Sequence, residues 1–338
     1  MPPGRSAWQT LAPLIDLVTP MAVRVAATLR LADLMGDRAV GVDELAEESN
    51  TDPGALERLL RHLVAHGLFA EPTPGEFSVN ETAALLLSTD PAGMREALDL
   101  EGFGGRMDVA FTGLLHTVRT GQPAWETVFG APFWQYLDDN PRISESFDAM
   151  MAASPEFLAD AAGGYDWAEL SHVVDVGGGT GALLAEILQT GPELRGTLVD
   201  LPETIGRARE LMASRGLADR CEFAGQSFFD PLPTGGDAYV LGRVVHDWDD
   251  EQAVAILRRC AEAAAERGRV VVIETHGGAG DNPAAFAEMS LRMLVIAGGR
   301  ERTVDSYRAL AAAAGLQVEN VSSTPLGHVI FDCVRVSG

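Results

Sequence analysis

The residue best suited to acid–base work is His246, in the run Val244-Val245-His246-Asp247-Trp248-Asp249-Asp250. Imidazole is the side chain whose ordinary pKa lies near neutrality, so His246 could take the proton of a phenol, whose own pKa is about 10 as for tyrosine. Two acids are placed to orient it. Glu274 ends Val272-Ile273-Glu274, and Glu301 lies within Gly298-Gly299-Arg300-Glu301-Arg302-Thr303. A carboxylate bonded to one ring nitrogen fixes the tautomer and makes the other nitrogen a better base. The plainer alternatives are a cap of the next helix for His246, which the chemistry outweighs, and an N-cap or surface ion pair for Glu301, which would suffice if that residue stood alone.

The second chemical feature is Asp175-Val176-Gly177-Gly178-Gly179-Thr180-Gly181. Glycines between a strand and a helix let backbone N–H groups converge on a ligand that side chains would obstruct. Read as G-x-G-x-x-A, from Gly177 through Gly179 to Ala182, the run fits a nicotinamide dinucleotide. Read as D-x-G-x-G-x-G, it fits S-adenosylmethionine. Asp200 follows the next apolar run, where its carboxylate can accept both ribose hydroxyls of either cofactor.

These residues need a sheet to carry them. Short β-branched runs at 172–176, 196–199, 237–245, 269–273, 317–322 and 328–336 alternate with helical stretches at 181–190, 203–215, 250–266 and 304–314, the pattern of a parallel sheet covered by helices on both faces. In such a sheet ligands bind beyond the C-terminal strand ends, where His246 and Glu274 fall. The last two runs are joined only by 323–327, too short for a crossover helix, so they pair antiparallel. A sheet that ends in this way separates the two cofactor readings, because it fits a methyltransferase layout and not a dinucleotide one.

The first half reads differently. Leu11, Leu14, Ile15 and Val18 recur at helical spacing until Pro20, and an apolar helix over 21–35 follows. These faces are apolar enough to pack across a dimer interface or inside the chain. Val42 to Glu48 reads as a short helix. Asp52 caps a helix with Pro53 in its first turn, and 68–71 with 76–79 reads as a hairpin around Pro72-Thr73-Pro74-Gly75. Two helices and a hairpin make a winged helix. As a DNA reader it would offer Arg58 and Arg61 on a strongly acidic protein, so a scaffold is the better reading. Residues 89–165 are helical and rich in aromatics.

Composition sets the bounds. The chain has 338 residues, enough for two domains at roughly 150 each, and 49 acids against 25 bases give a formal charge of −24. That charge repels phosphate backbones and anionic lipid, so neither nucleic acid nor membrane is an expected partner. Cys221, Cys260 and Cys333 match neither a disulfide framework nor a zinc site, so no metal is expected and a cytoplasmic location is.

In the order of its motifs the chain resembles the plant caffeic-acid-type and bacterial aromatic polyketide and naphthoate O-methyltransferases, from about residue 10 to 336. The stretches that carry the resemblance are Pro20-Met21-Ala22-Val23-Arg24-Val25-Ala26-Ala27, Arg61-His62-Leu63-Val64, the glycine run, Phe228-Phe229-Asp230-Pro231-Leu232-Pro233, His246-Asp247-Trp248, Leu291-Arg292-Met293-Leu294 and the Gly298 to Thr303 stretch. The resemblance implies a class I methyltransferase domain with a seven-stranded sheet over 166–338. It also implies a winged-helix-like dimerisation domain over 1–100, a helical, substrate-lining segment over 101–165, and a homodimer formed through the N-terminal helices. S-adenosyl-L-methionine is the implied cofactor and an aromatic hydroxyl the acceptor. His246 becomes the general base, flanked by Glu274 and Glu301. Asp175, Gly177, Gly179, Asp200, Ser227, Phe228, Trp248, Met150 and Ser154 fall to the cofactor. Phe103, Phe111, Phe133, Trp134, Met151 and Met293 fall to the substrate. Two positions depart from the family pattern: Ser227 stands where many relatives have aspartate, and Gly242 where plant members have lysine. Three alternatives compete: decarboxylation or hydroxylation of a polyketide on the same scaffold, a winged-helix regulator, and a nicotinamide dehydrogenase.

Overall fold

The computed structural model describes residues 7–152, 155–264, 268–275 and 283–336, and these divide into two compact units. The first comprises 1–109 with 141–153; the second comprises 110–140 with 154–338.

The first unit opens with helices Ala7–Ile15 and Val18–Thr28. The break falls at Asp16 and Leu17 rather than at Pro20, and Asp16 accepts the Val18 N–H at 2.9 Å. Pro20 sits in the first turn of the second helix, where a missing N–H leaves no bond unmade. That helix ends at Thr28, and Leu31–Met35 is a separate helix entered through Arg30 at φ +56°. Helices Val42–Ser49 and Pro53–Ala65 follow, the latter capped by Asp52 accepting the Ala55 N–H. Strands β1 (Val40–Gly41), β2 (Ala70–Thr73) and β3 (Glu76–Ser78) form a small sheet in the order β1-β3-β2. Leu31, Leu45, Leu60, Leu63 and Phe77 are its fully buried centre. The first helix and the break after it leave Trp8, Leu11, Leu14, Ile15 and Leu17 exposed, Leu14 at 80%. The stretch Thr10–Thr28 is long and apolar enough by composition to cross a membrane, but it is broken at residues 16–17 and carries Asp16 and Arg24.

The second unit is built on seven strands: β4 (His172–Val176), β5 (Arg195–Asp200), β6 (Cys221–Gly225), β7 (Ala238–Gly242), β8 (Arg269–Thr275), β9 (Leu316–Ser323) and β10 (His328–Arg335). Their order is β6-β5-β4-β7-β8-β10-β9, and only β10 runs against its neighbours. The central strands are apolar on both sides because helices cover both faces. On β8, Val270 and Val272 join one core cluster while Val271 and Ile273 join the other. The order reverses at β4, so the ends of β4 and β7 open onto the crevice where an α/β sheet accepts ligands. Strand β6 was not expected from the sequence: Cys-Glu-Phe-Ala-Gly lies at the edge of the sheet, and of its residues only Cys221 is buried.

Candidate active site

The C-terminal ends of β4, β5, β7 and β8 gather most of the predicted residues. Past β7 the chain enters a single 3-10 turn, Val245–Asp247, that buries His246 to 5% exposure. Glu274, at the end of β8, is fully buried, and its Oε1 accepts the N–H of Val245 at 2.9 Å and of His246 at 3.3 Å. It therefore holds the backbone that carries the imidazole. Glu301 holds the ring itself: His246 Nδ1 lies 2.8 Å from Glu301 Oε1. An ionised carboxylate can only accept, so Nδ1 is the donor, and the neutral ring keeps its lone pair on Nε2. Asp247 Oδ1 stands 3.5 Å from Nε2.

Electrostatics follow from this packing. Burial alone would lower the imidazole pKa, but Glu274, Asp247 and Glu301 outweigh it and raise the value to about 9. Burial pushes the Glu274 carboxyl up, with His246 opposing and the other acids adding to it. Oε2 of both glutamates is buried without a hydrogen-bond partner among the described residues.

Two residues with no predicted role complete the frame. Arg302, 3% exposed, donates to the carbonyls of Val245 at 2.9 Å and Trp248 at 2.7 Å and to Asp250 Oδ1 at 2.9 and 3.0 Å. It clamps the two ends of the His246 turn, yet in sequence it is one more charge in a charged turn. Gly299 is the other: a Cβ there would lie 2.1 Å from the His246 carbonyl oxygen, so only glycine lets the Arg300 N–H reach that oxygen at 2.8 Å.

The glycine loop lies between β4 and helix Ala182–Gln189. Gly177 and Gly179 have φ of +70° and +58°. Nothing lies within 4 Å of a Cβ on Gly179, so backbone conformation and not crowding demands glycine there, and the space above is open. The Gly179 N–H donates to Asp200 Oδ2 at 2.8 Å, and the other Asp200 oxygen accepts the Leu201 N–H at 2.7 Å. Asp175 is buried beneath the loop with Oδ2 unpartnered among the described residues; burial, and then Asp200, push its pKa to about 7. Phe228 lies edge-on to Trp248 at 5.7 Å, and Ser227 Oγ accepts the Phe229 N–H at 3.2 Å. Trp248 also stacks on Trp134, 5.6 Å between centroids and 15° between planes, while its buried indole N–H meets no acceptor among the described residues. Open space above a glycine loop, a carboxylate at the end of β5 and an unmet indole N–H suit a ligand with both donors and acceptors, as S-adenosylmethionine has.

The remaining predicted residues fall in both units. Phe133 is buried edge-on to Trp125 at 4.9 Å, and Phe111 lies under the Arg292 guanidinium at 5.7 Å. Met293 is half-buried in helix Pro283–Ile296. Phe103, Met150 and Met151 belong to the first unit, where Phe103 is buried edge-on to Phe147 and Met151 is 37% exposed. Ser154 lies outside the described residues. Cys221, Cys260 and Cys333 are buried thiols, and no acid, histidine and cysteine cluster among the described residues could hold a metal.

Comparison with known proteins decides the family. An O-methyltransferase domain family matches residues 111–317, and an O-methyltransferase dimerisation domain matches 14–89. The chain belongs to the S-adenosylmethionine-dependent O-methyltransferase family. It is 45% identical to a 2,7-dihydroxy-5-methyl-1-naphthoate 7-O-methyltransferase of Streptomyces carzinostaticus, over 96% of this chain and 97% of that one. It is 42% identical to an aclacinomycin 10-hydroxylase of Streptomyces purpurascens, over 94% and 86%. An O-methyltransferase from neocarzinostatin biosynthesis, solved with S-adenosylmethionine and 2-hydroxy-5-methyl naphthoic acid, superposes with a TM-score of 0.89 at 44% identity, covering 96% of this chain and 98% of that chain. The antiparallel strand expected at the end of a seven-stranded methyltransferase sheet is β10, and the N-terminal winged module belongs to the dimerisation domain.

Proposed function

We propose that this O-methyltransferase methylates a hydroxyl of an aromatic small molecule, of naphthoate or polyketide type, in bacterial secondary metabolism, with His246 as general base. The observation that carries the reading is the 2.8 Å bond between His246 Nδ1 and Glu301, which leaves Nε2 to accept a proton. When bound, S-adenosylmethionine supplies an electrophilic methyl on a positively charged sulfur, and that charge opposes protonation of His246. The loops that end β4, β5 and β7 hold the cofactor: Gly177 and Gly179 through the backbone, Asp200 through its carboxylate, with Asp175, Ser227, Phe228 and Trp248 around it. Phe111, Phe133, Trp134 and Met293 shape the acceptor's surroundings.

The chain's part in the reaction is alignment and proton removal. Methyl transfer from sulfonium to oxygen needs the acceptor oxygen in line, and a positioned oxygen gains most of its rate from that placement. His246 Nε2 takes the hydroxyl proton as the oxygen becomes a better nucleophile, and Glu301 stabilises the imidazolium that results. Burial of the ring keeps water from competing. Because the surrounding carboxylates raise the imidazole pKa of the free site to about 9, kcat/KM rises with pH through the neutral range.

The protein acts as a cytoplasmic homodimer joined through its N-terminal helices. The dimerisation-domain match over 14–89 and the exposed Trp8, Leu11, Leu14, Ile15 and Leu17 support this.

The hydroxylase relative makes hydroxylation the competing reading. Mass spectrometry of products formed from a panel of hydroxynaphthoic acids and the cofactor separates the two. A gain of one methylene unit is expected; a gain of one oxygen, or loss of carbon dioxide, overturns the proposal.

A further inference from the structure

Tyr307 is buried in the second unit with a hydroxyl that the machinery described so far leaves unused. It lies on helix Val304–Ala313, one turn beyond the Thr303 cap that ends the Glu301-Arg302 stretch, and its ring packs at a tilt on Phe331 of β10, 4.8 Å between centroids. A phenylalanine would fill that place as well. The hydroxyl adds the cost of burying a polar group unless something bonds it. Tyr239, fully buried in the same core cluster, offsets that cost against the carbonyls of Pro233 and Ala263, at 2.7 and 3.0 Å. Tyr307 Oη has no such partner among the described residues.

Two other buried atoms share that condition. They are Oε2 of Glu274 and Oε2 of Glu301, the oxygens that take no bond from the Val245 and His246 N–H groups or from the imidazole. All three atoms lie within electrostatic reach of one another: burial most of all, then Glu274 and then Glu301, oppose ionisation of the phenol, with Arg302 easing it, so its pKa lies well above the ordinary tyrosine value. A phenol held neutral in this way is a hydrogen-bond donor throughout the neutral range. One donor and two acceptors, all buried, are complementary, and buried polar groups are as a rule bonded.

The other groups that face the glutamates are already engaged. His246 spends Nδ1 on Glu301 Oε1, Asp247 is a third acid, and Arg302 spends its donors on Val245, Trp248 and Asp250. We propose that Tyr307 is a positioning residue of the base: its hydroxyl donates, directly or through one enclosed water, to the free oxygens of Glu274 and Glu301, and so keeps the pair ionised and Glu301 turned toward His246 Nδ1. The inference rests on His246 as the general base proposed above.

Tyr307→Phe in the full-length protein keeps the ring and removes the donor. The deprotonated site carries one more uncompensated negative charge than the protonated one, so it loses more when the donor goes, and the rising limb of kcat/KM for a hydroxynaphthoate moves to higher pH by about one unit. Near pH 7 that is a fall of about 10-fold, recovered at the alkaline plateau. Loss of the Glu301 charge moves the limb the other way, and a purely structural defect lowers the rate without moving it. Thermal melts supply a second reading that needs neither cofactor nor acceptor. The Glu274 carboxyl, pushed up to about 7 from its ordinary 4.5, costs stability as pH climbs through that interval. Removing a donor raises it further, so the Tm of the variant minus that of the parent should grow more negative from pH 5 to pH 8. A crystal structure of the parent gives a third reading without any variant: Tyr307 Oη within ~3.2 Å of a glutamate oxygen, or of a water bonded to one, is expected. A limb that stays in place, a Tm difference that is flat with pH or turns positive, or an Oη set against carbon atoms alone overturns the inference. If the parent methylates no hydroxynaphthoate, the proposed function fails while the melts and the crystal structure still judge Tyr307.

Discussion

Replacing Glu301 by Gln tests how the imidazole is tuned. The substitution keeps the shape of the partner 2.8 Å from His246 Nδ1 and removes its charge. Two unit charges about 4 Å apart interact by ~4 kcal/mol at an effective dielectric constant of about 20. One pKa unit corresponds to about 1.4 kcal/mol, so the full interaction is worth ~3 units. Glu274 Oε2, 3.7 Å from the same nitrogen, and Asp247 stay in place and continue to favour the imidazolium, so a fall of about 1–3 units is expected from a starting value near 9. The sign is definite: removing an anion that stabilises the protonated ring lowers its pKa. The rising limb of kcat/KM against pH therefore moves to lower pH by at least one unit. The plateau falls at the same time, about 10-fold or more, because the neutral ring is a weaker base and has lost its anionic brace. The assay is methyl transfer to a hydroxynaphthoate followed from pH 5.5 to 10 for parent and variant. A limb unmoved by the substitution, with the variant folded, would refute the electrostatic account of the site.

Other consequences are open to direct measurement. Gly299→Ala places a Cβ against the backbone of His246 and Asp247; it should cost roughly 1–3 kcal/mol of stability by overpacking and depress kcat more than the KM for the cofactor, which paired denaturation and kinetics check. Asp175→Asn removes a buried carboxyl whose folded pKa, about 7, lies above its ordinary value of 3.8. The parent loses stability as pH climbs through that interval and the variant does not, so the Tm difference, variant minus parent, should grow more positive from pH 5 to pH 8. Leu14→Glu with Leu11→Glu places charge on the exposed face of the first helix; light scattering should then report a monomer where the parent is a dimer.

What could be read from the sequence was decided by burial. Strands β4, β7 and β8 are covered on both faces and show as unbroken apolar runs, whereas β6 is half-exposed and carries no such mark. The His246, Glu274 and Glu301 group was legible because each residue ends an element or sits in a distinctive turn. Arg302 was not, since its role depends on carbonyls of residues 245 and 248 that only tertiary folding brings to it. The stack of Trp134 on Trp248 spans more than a hundred residues and leaves no local periodicity. Pro20 misled for a different reason: proline breaks a helix interior but is at home in a first turn, and the start of the second helix was set by Asp16.

Proton removal from the acceptor hydroxyl is the work proposed for His246. Its most direct test is single-turnover methyl transfer by His246→Ala at pH 7.5, with a phenol of ordinary acidity and with S-adenosylhomocysteine affinity measured alongside. The expected rate is lower by about 10²- to 10⁴-fold with cofactor affinity unchanged. A rate within a few-fold of the parent at that pH would contradict it.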